Sequence, residues 1–113
     1  MLPSLFISHG SPMLALDSGA SGAALSGLAE RLPRPRAVLV QSAHWESSEL
    51  LVGSAAQPAT WHDFHGFPPL LYQLDSPAAG EPQLAADIAA RLNTAGLESR
   101  LDAQRPRDHG AWV

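Results

Sequence analysis

The stretch AVLVQSAHW, residues 37–45, decides how the rest of the chain is read. Val38, Leu39 and Val40 form an apolar run with no polar residue between them. A strand with one wet face alternates polar and apolar residues. An apolar residue at every position instead fits a strand covered on both faces, as in a parallel sheet layered with helices. Residues 37–42 therefore read as a buried strand, and His44 stands two positions beyond its carboxyl end.

Working outward, residues 2–8 (LPSLFIS) read as a short apolar strand that runs into the turn signal His9-Gly10-Ser11-Pro12. Leu25, Leu28 and Leu32, at i, i+3 and i+7, predict a helix with one apolar stripe that stops before Pro33 and Pro35. Residues 49–54 (ELLVGS) and 97–101 give a third and a fourth strand. Between them lies a long irregular stretch, 55–69, containing WHDFHGFPP, and then a predicted helix over 82–95. That helix carries Leu84, Ile88 and Leu92 on one face, an Asp87–Arg91 surface pair, and Gly96 as its cap. The order strand, helix, strand, strand, loop, helix, strand predicts an α/β fold with a partly parallel sheet flanked by helices.

Composition sets outer limits. At 113 residues the chain is one domain at most. Hydrophobic residues make up 45% and charged residues 16%, which suits a folded chain rather than a disordered one. The net charge of −4 argues against a nucleic-acid partner. With no cysteine, any metal has to be held by histidine and carboxylate. No run is long enough to span a bilayer and no basic stretch precedes an apolar one, so the expectation is a cytoplasmic protein without membrane contact.

The histidines carry the chemistry. In open α/β sheets, ligands sit beyond the carboxyl ends of the strands. His9 directly follows the first predicted strand and His44 the second. Neighbouring strands lie about 4.8 Å apart, so two imidazoles at adjacent tips can converge on one ion. His62, His65 and His109 also lie in predicted loops. The plainer readings are a turn for HGSP and a surface loop pinned by Phe64 and Phe67 for HDFHGFP. The chain has no G-x-S-x-G nucleophile elbow, no H-E-x-x-H metal helix and no phosphate-cradling glycine loop.

Taken together and in order, LFISHGSPM, VLVQSAHWE, HDFHGFPPLLY, SPAAGEPQLA and DHGAW resemble the LigB-type (class III) extradiol aromatic ring-opening dioxygenases, in their DOPA 4,5-dioxygenase branch. The resemblance implies a non-haem metal, Zn²⁺ or Fe²⁺, bound by His9 and His44. It implies His109 as a catalytic acid–base or substrate-contacting group, and His62, Asp63 and Phe64 as the substrate-binding wall of the pocket. The substrates it implies are a DOPA-like catechol and O₂. Pro106-Arg107 before DHG and His65 within HDFHGFP depart from the family pattern. Family members are longer, so residues 1–113 are expected to be the N-terminal part of one catalytic domain, incomplete and inactive alone. A third metal ligand is not evident, with Asp63 and His62 as the substitutes available. A zinc-dependent hydrolase built on His9 and His44, or a non-catalytic metal-binding remnant, are the alternatives.

Overall fold

The computed structural model describes residues 2–113. Its regular elements are α1 (Gly19–Arg31), β1 (Leu50–Gly53), α2 (Pro82–Thr94), β2 (Ser99–Asp102) and α3 (His109–Trp112), with 3₁₀ turns at Pro12–Ala15 and Pro69–Gln73. The strands β1 and β2 are parallel, with Leu50 opposite Ser99 and Gly53 opposite Asp102. The ladder continues one bond further, from the Ser54 N–H to the Asp102 carbonyl at 2.8 Å. Parallel neighbours require a long crossover, and α2 provides it.

Pro82 opens α2, where its missing N–H costs nothing and its fixed φ suits the first turn. Gly96, at φ +81°, closes it. The Gly96 N–H donates to the Asn93 carbonyl at 3.0 Å and the Leu97 N–H to the Leu92 carbonyl at 2.9 Å, the paired bonds of a Schellman cap. The most buried positions of α2 are Ala85 and Ala89, while Leu84, Ile88 and Leu92 flank them half-buried. Small residues there let helix and strand backbones approach closely enough to bond. The Ser99 hydroxyl donates to the Ala89 carbonyl at 3.1 Å, and the Ser99 N–H donates to Asn93 Oδ1 at 2.6 Å. No Asp87–Arg91 pair forms among the described residues. Asp87 accepts from Gln83 Nε2 at 3.2 Å instead.

The expected α/β class, with a parallel sheet and helices, is what the chain forms. The extent of the sheet is corrected: it has two strands, and residues 2–8 and 37–42 join no ladder among the described residues. Val38 is 72% exposed, Leu39 69% and Phe6 fully so. β-branched side chains favour strand geometry only where a neighbouring strand completes the ladder and a layer covers the face. Neither is available to these segments. The leucine stripe of α1 is likewise only half-buried.

The 55–69 stretch is irregular, as expected apart from a bridge, and is tied down at its centre. Thr60 forms an isolated parallel bridge with Arg107. The Trp61 N–H donates to the Arg107 carbonyl at 2.8 Å, and the Arg107 N–H donates to the Ala59 carbonyl at 2.7 Å. The Arg107 guanidinium also donates to the carbonyls of Ser76 at 3.1 Å and Ala78 at 2.9 Å. Arg107, a departure from the expected pattern, thus clamps three segments together. The Trp112 indole N–H adds a bond to the Trp61 carbonyl at 2.9 Å. These ties bring HDF and DHGAW side by side.

Candidate metal centre

Three histidines from distant parts of the chain meet at one edge of the molecule. His9 ends the extended N-terminal segment, His44 sits in the turn closed by the Trp45 N–H to the Ser42 carbonyl at 3.3 Å, and His109 opens α3. His9 Nε2 and His44 Nε2 are 2.9 Å apart. The ring centroids lie 5.0 Å apart for His9–His44, 5.0 Å for His9–His109 and 4.1 Å for His44–His109. One nitrogen from each lies within 4.8 Å of the others. His109 is buried, His9 half-buried and His44 exposed, so the cluster is open to solvent on one side.

The donor set suits a first-row ion. Nitrogens that share one ion at about 2.1 Å each stand roughly 3–3.5 Å apart, close to the His9–His44 separation. His9 Nδ1 is buried with no hydrogen-bond partner, so its ring is oriented by packing. The His9 pKa is held below its ordinary 6.5, first by burial and then by the neighbouring His109 and His44, which outweigh the pull of Asp108 and Asp63. A neutral ring is the form that binds metal.

Asp63 faces His109, not the centre of the cluster. Its Oδ1 accepts both the His109 backbone N–H and the His109 Nδ1 proton, each at 2.9 Å. Burial would raise the Asp63 pKa, but the hydrogen bonds from the His109 backbone and ring overcome this and hold it below 3.8. An ionised Asp63 fixes the tautomer of His109 and leaves the Nε2 lone pair free, the familiar carboxylate–histidine arrangement behind a metal. Phe64 sets its ring against His109, with centroids 5.5 Å apart.

His62 stands apart from the cluster. Its Nε2 donates to the Leu74 carbonyl at 2.8 Å, and its ring packs among Phe64, Tyr72 and Trp112. His65 is exposed and contacts none of the other histidines. Strand-end placement pointed to His9 and His44, and the family resemblance put His109 in the same site, but neither gave the distances between the three rings. Sequence reasoning set Asp108 and Gly110 beside His109 in an active-site loop but missed Ser42 and Arg105, and with them the contacts that Asp108 and Gly110 make to the His44 turn. Ser42 Oγ donates to Asp108 Oδ1 at 2.5 Å across 66 residues, a contact no local pattern announces.

A histidine-lined centre with a half-buried carboxylate behind one ring, on an α/β frame, defines a candidate metal-dependent enzyme. Residues 3–113 match the family described as the catalytic LigB subunit of aromatic ring-opening dioxygenase. The chain belongs to that family. It is 44% identical over 112 residues to a 4,5-DOPA dioxygenase extradiol of Beta vulgaris, covering 96% of this chain and 42% of that protein. It is 40% identical over 112 residues to a protein of the same description from Escherichia coli (strain K12), covering 98% of this chain and 41% of the relative. A third, from Mirabilis jalapa, is 34% identical over 110 residues, 95% of this chain and 41% of its own length. The chain therefore spans about two fifths of the length of these curated relatives.

Proposed function

We propose that residues 1–113 are the N-terminal part of a single catalytic domain whose whole is an extradiol ring-cleaving dioxygenase for a DOPA-like catechol and O₂. The observation that carries the reading is the convergence of His9, His44 and His109 beside Asp63 and Phe64. His9 and His44 would hold the ion, Fe²⁺ or Zn²⁺. When bound, ferrous iron supplies the redox chemistry that joins a catechol to O₂.

The residues of this chain do the rest. The Nδ1 proton of His109 is committed to Asp63, so Nε2 is the nitrogen able to accept a phenolic proton and return it later. Asp63 stabilises the positive ring that forms when Nε2 takes that proton, because it is ionised and already bonded to the same imidazole. Phe64 offers an aromatic face beside that nitrogen, against which a catechol ring can stack. The cytoplasmic location belongs to the same proposal. A net charge of −4 is compatible with it, as is the finding that no helix among the described residues is long and apolar enough to cross a membrane.

Ferric-loaded protein titrated with DOPA tests this. A catecholate-to-iron absorption band should appear, and His9→Ala and His44→Ala should each remove it. Oxygen uptake by the ferrous form of this chain alone should stay at background. A band of equal strength in both variants would sink the assignment. Zinc-dependent ester cleavage without a catechol response would favour a hydrolase.

A further inference from the structure

We infer that Ser42, Asp108 and Arg105 form a brace that sets the His44 imidazole against His109, making them positioning residues of the metal centre. The inference rests on the metal reading above. It starts from what His44 lacks. The segment that leads to it, 37–42, joins no ladder, so no strand register places the ring.

Side chains place it instead. Asp108 is 2% exposed and accepts the Ser42 hydroxyl proton on Oδ1 at 2.5 Å. The Ser42 oxygen in turn accepts the His44 backbone N–H at 3.1 Å. The carboxylate that bonds the turn before His44 is therefore the residue just before His109. The other oxygen of Asp108 lies 3.7 Å from the Arg105 guanidinium. That guanidinium lies over the ring of Trp45, the residue after His44, 4.4 Å from its centroid, and 5.3 Å from that of Trp61. The turn is thus gripped on both sides of His44, through Ser42 and through Trp45, from a single segment.

Gly110 completes the seat. A Cβ there would lie 2.7 Å from His44 Cδ2 and would collide with the Ser42 hydroxyl. Only glycine lets α3 come this close to the His44 ring. The Asp63–His109 bond fixes one imidazole, and this second, separate carboxylate fixes its neighbour.

The test is zinc affinity by competition with a chromophoric chelator, on the full chain. Ser42→Ala and Asp108→Ala should each weaken zinc about 10–100-fold, the range typical for residues that orient a ligand. Ser42→Thr keeps the hydroxyl and should restore most of the loss. Ala89→Gly, at the remote α2–β2 contact, should lower the melting midpoint and leave zinc affinity unchanged. Unchanged affinity in Ser42→Ala and Asp108→Ala overturns the brace. So does an affinity loss of equal size in Ala89→Gly, or no rescue by threonine. A wild-type chain that binds no zinc would overturn the metal reading instead. The brace is then judged on the metal-free protein, where the His44 ring resonances should shift in Ser42→Ala and not in Ser42→Thr. Identical ring resonances in wild type and Ser42→Ala would end it.

Discussion

Asp63 carries two bonds to one histidine, and that doubling makes it the most consequential single residue outside the three imidazoles. Asp63→Ala should let the His109 ring divide between its two tautomers, read from its ring nitrogen resonances, because the ring loses the partner that holds its Nδ1 proton. Asp63→Asn should lose less if its carbonyl takes over the Nδ1 proton, so the order Ala below Asn below wild type in the share of Nδ1-protonated ring checks the geometry. The pH dependence follows from two depressed pKa values. His9 in the folded metal-free chain resists protonation, so the unfolded chain binds the proton more readily. Stability contributed by His9 is present above about 6.5 and is lost as pH falls towards its lower folded value. Asp63 acts with the same sign further down: its contribution is present above 3.8 and disappears as the carboxylate protonates in the folded state. Urea midpoints of the metal-free protein should therefore fall between pH 7 and about 5, and His9→Gln should flatten that part of the curve. A midpoint that rises as pH falls would contradict the sign.

Among elements, the α2–β2 connection is the best-tied part of the chain, and Asn93 is its hinge pin. Asn93→Ala removes the acceptor for the N–H of buried Ser99 and should cost about 1–3 kcal/mol by chemical denaturation. Gly96→Ala should cost about 1–2 kcal/mol, since φ +81° is strained for any residue with a Cβ. This element was legible before folding: Pro82 marked its start, Gly96 its end, and Leu84, Ile88 and Leu92 the side turned towards the sheet. The strands at 2–8 and 37–42 were legible only as propensity. Whether Val38 to Val40 pair depends on a neighbour and a covering layer, and neither property belongs to the residues themselves. The site was legible as a list of residues, because HGSP, SAHW, HDF and DHGAW occur in order and resemble the motifs of one family. Its arrangement was not legible. The pairing of Asp63 with His109 and of Asp108 with Ser42 depends on the Thr60–Arg107 bridge, a contact between stretches with no shared pattern.

Across the whole molecule, the chain exposes 8342 Å², where a compact protein of 11.9 kDa exposes about 6,000 Å². Its radius of gyration is 15.2 Å against about 13 Å for a compact chain of this length. Large apolar side chains are part of that surface: Phe6, Val38 and Leu39 face solvent, while the buried hydrophobic core is Leu71, Ala85 and Ala89. Purified protein should bind a hydrophobic dye and grow in light scattering as concentration rises. Clean monomers without dye fluorescence would show that these segments find cover in solution. Against this loose frame, the spacing of His9 and His44 takes on a second meaning. His9 and His44 lie 35 positions apart, so an ion held by both would act as a crosslink closing a long loop of the chain. A covalent bond closing a loop of that length removes roughly 4 kcal/mol of freedom from the unfolded chain in the chain-entropy account. Metal and fold would then be one equilibrium, each completing the other. The melting midpoint should climb with zinc concentration and keep climbing beyond saturation, as mass action requires of a ligand that binds only the folded form.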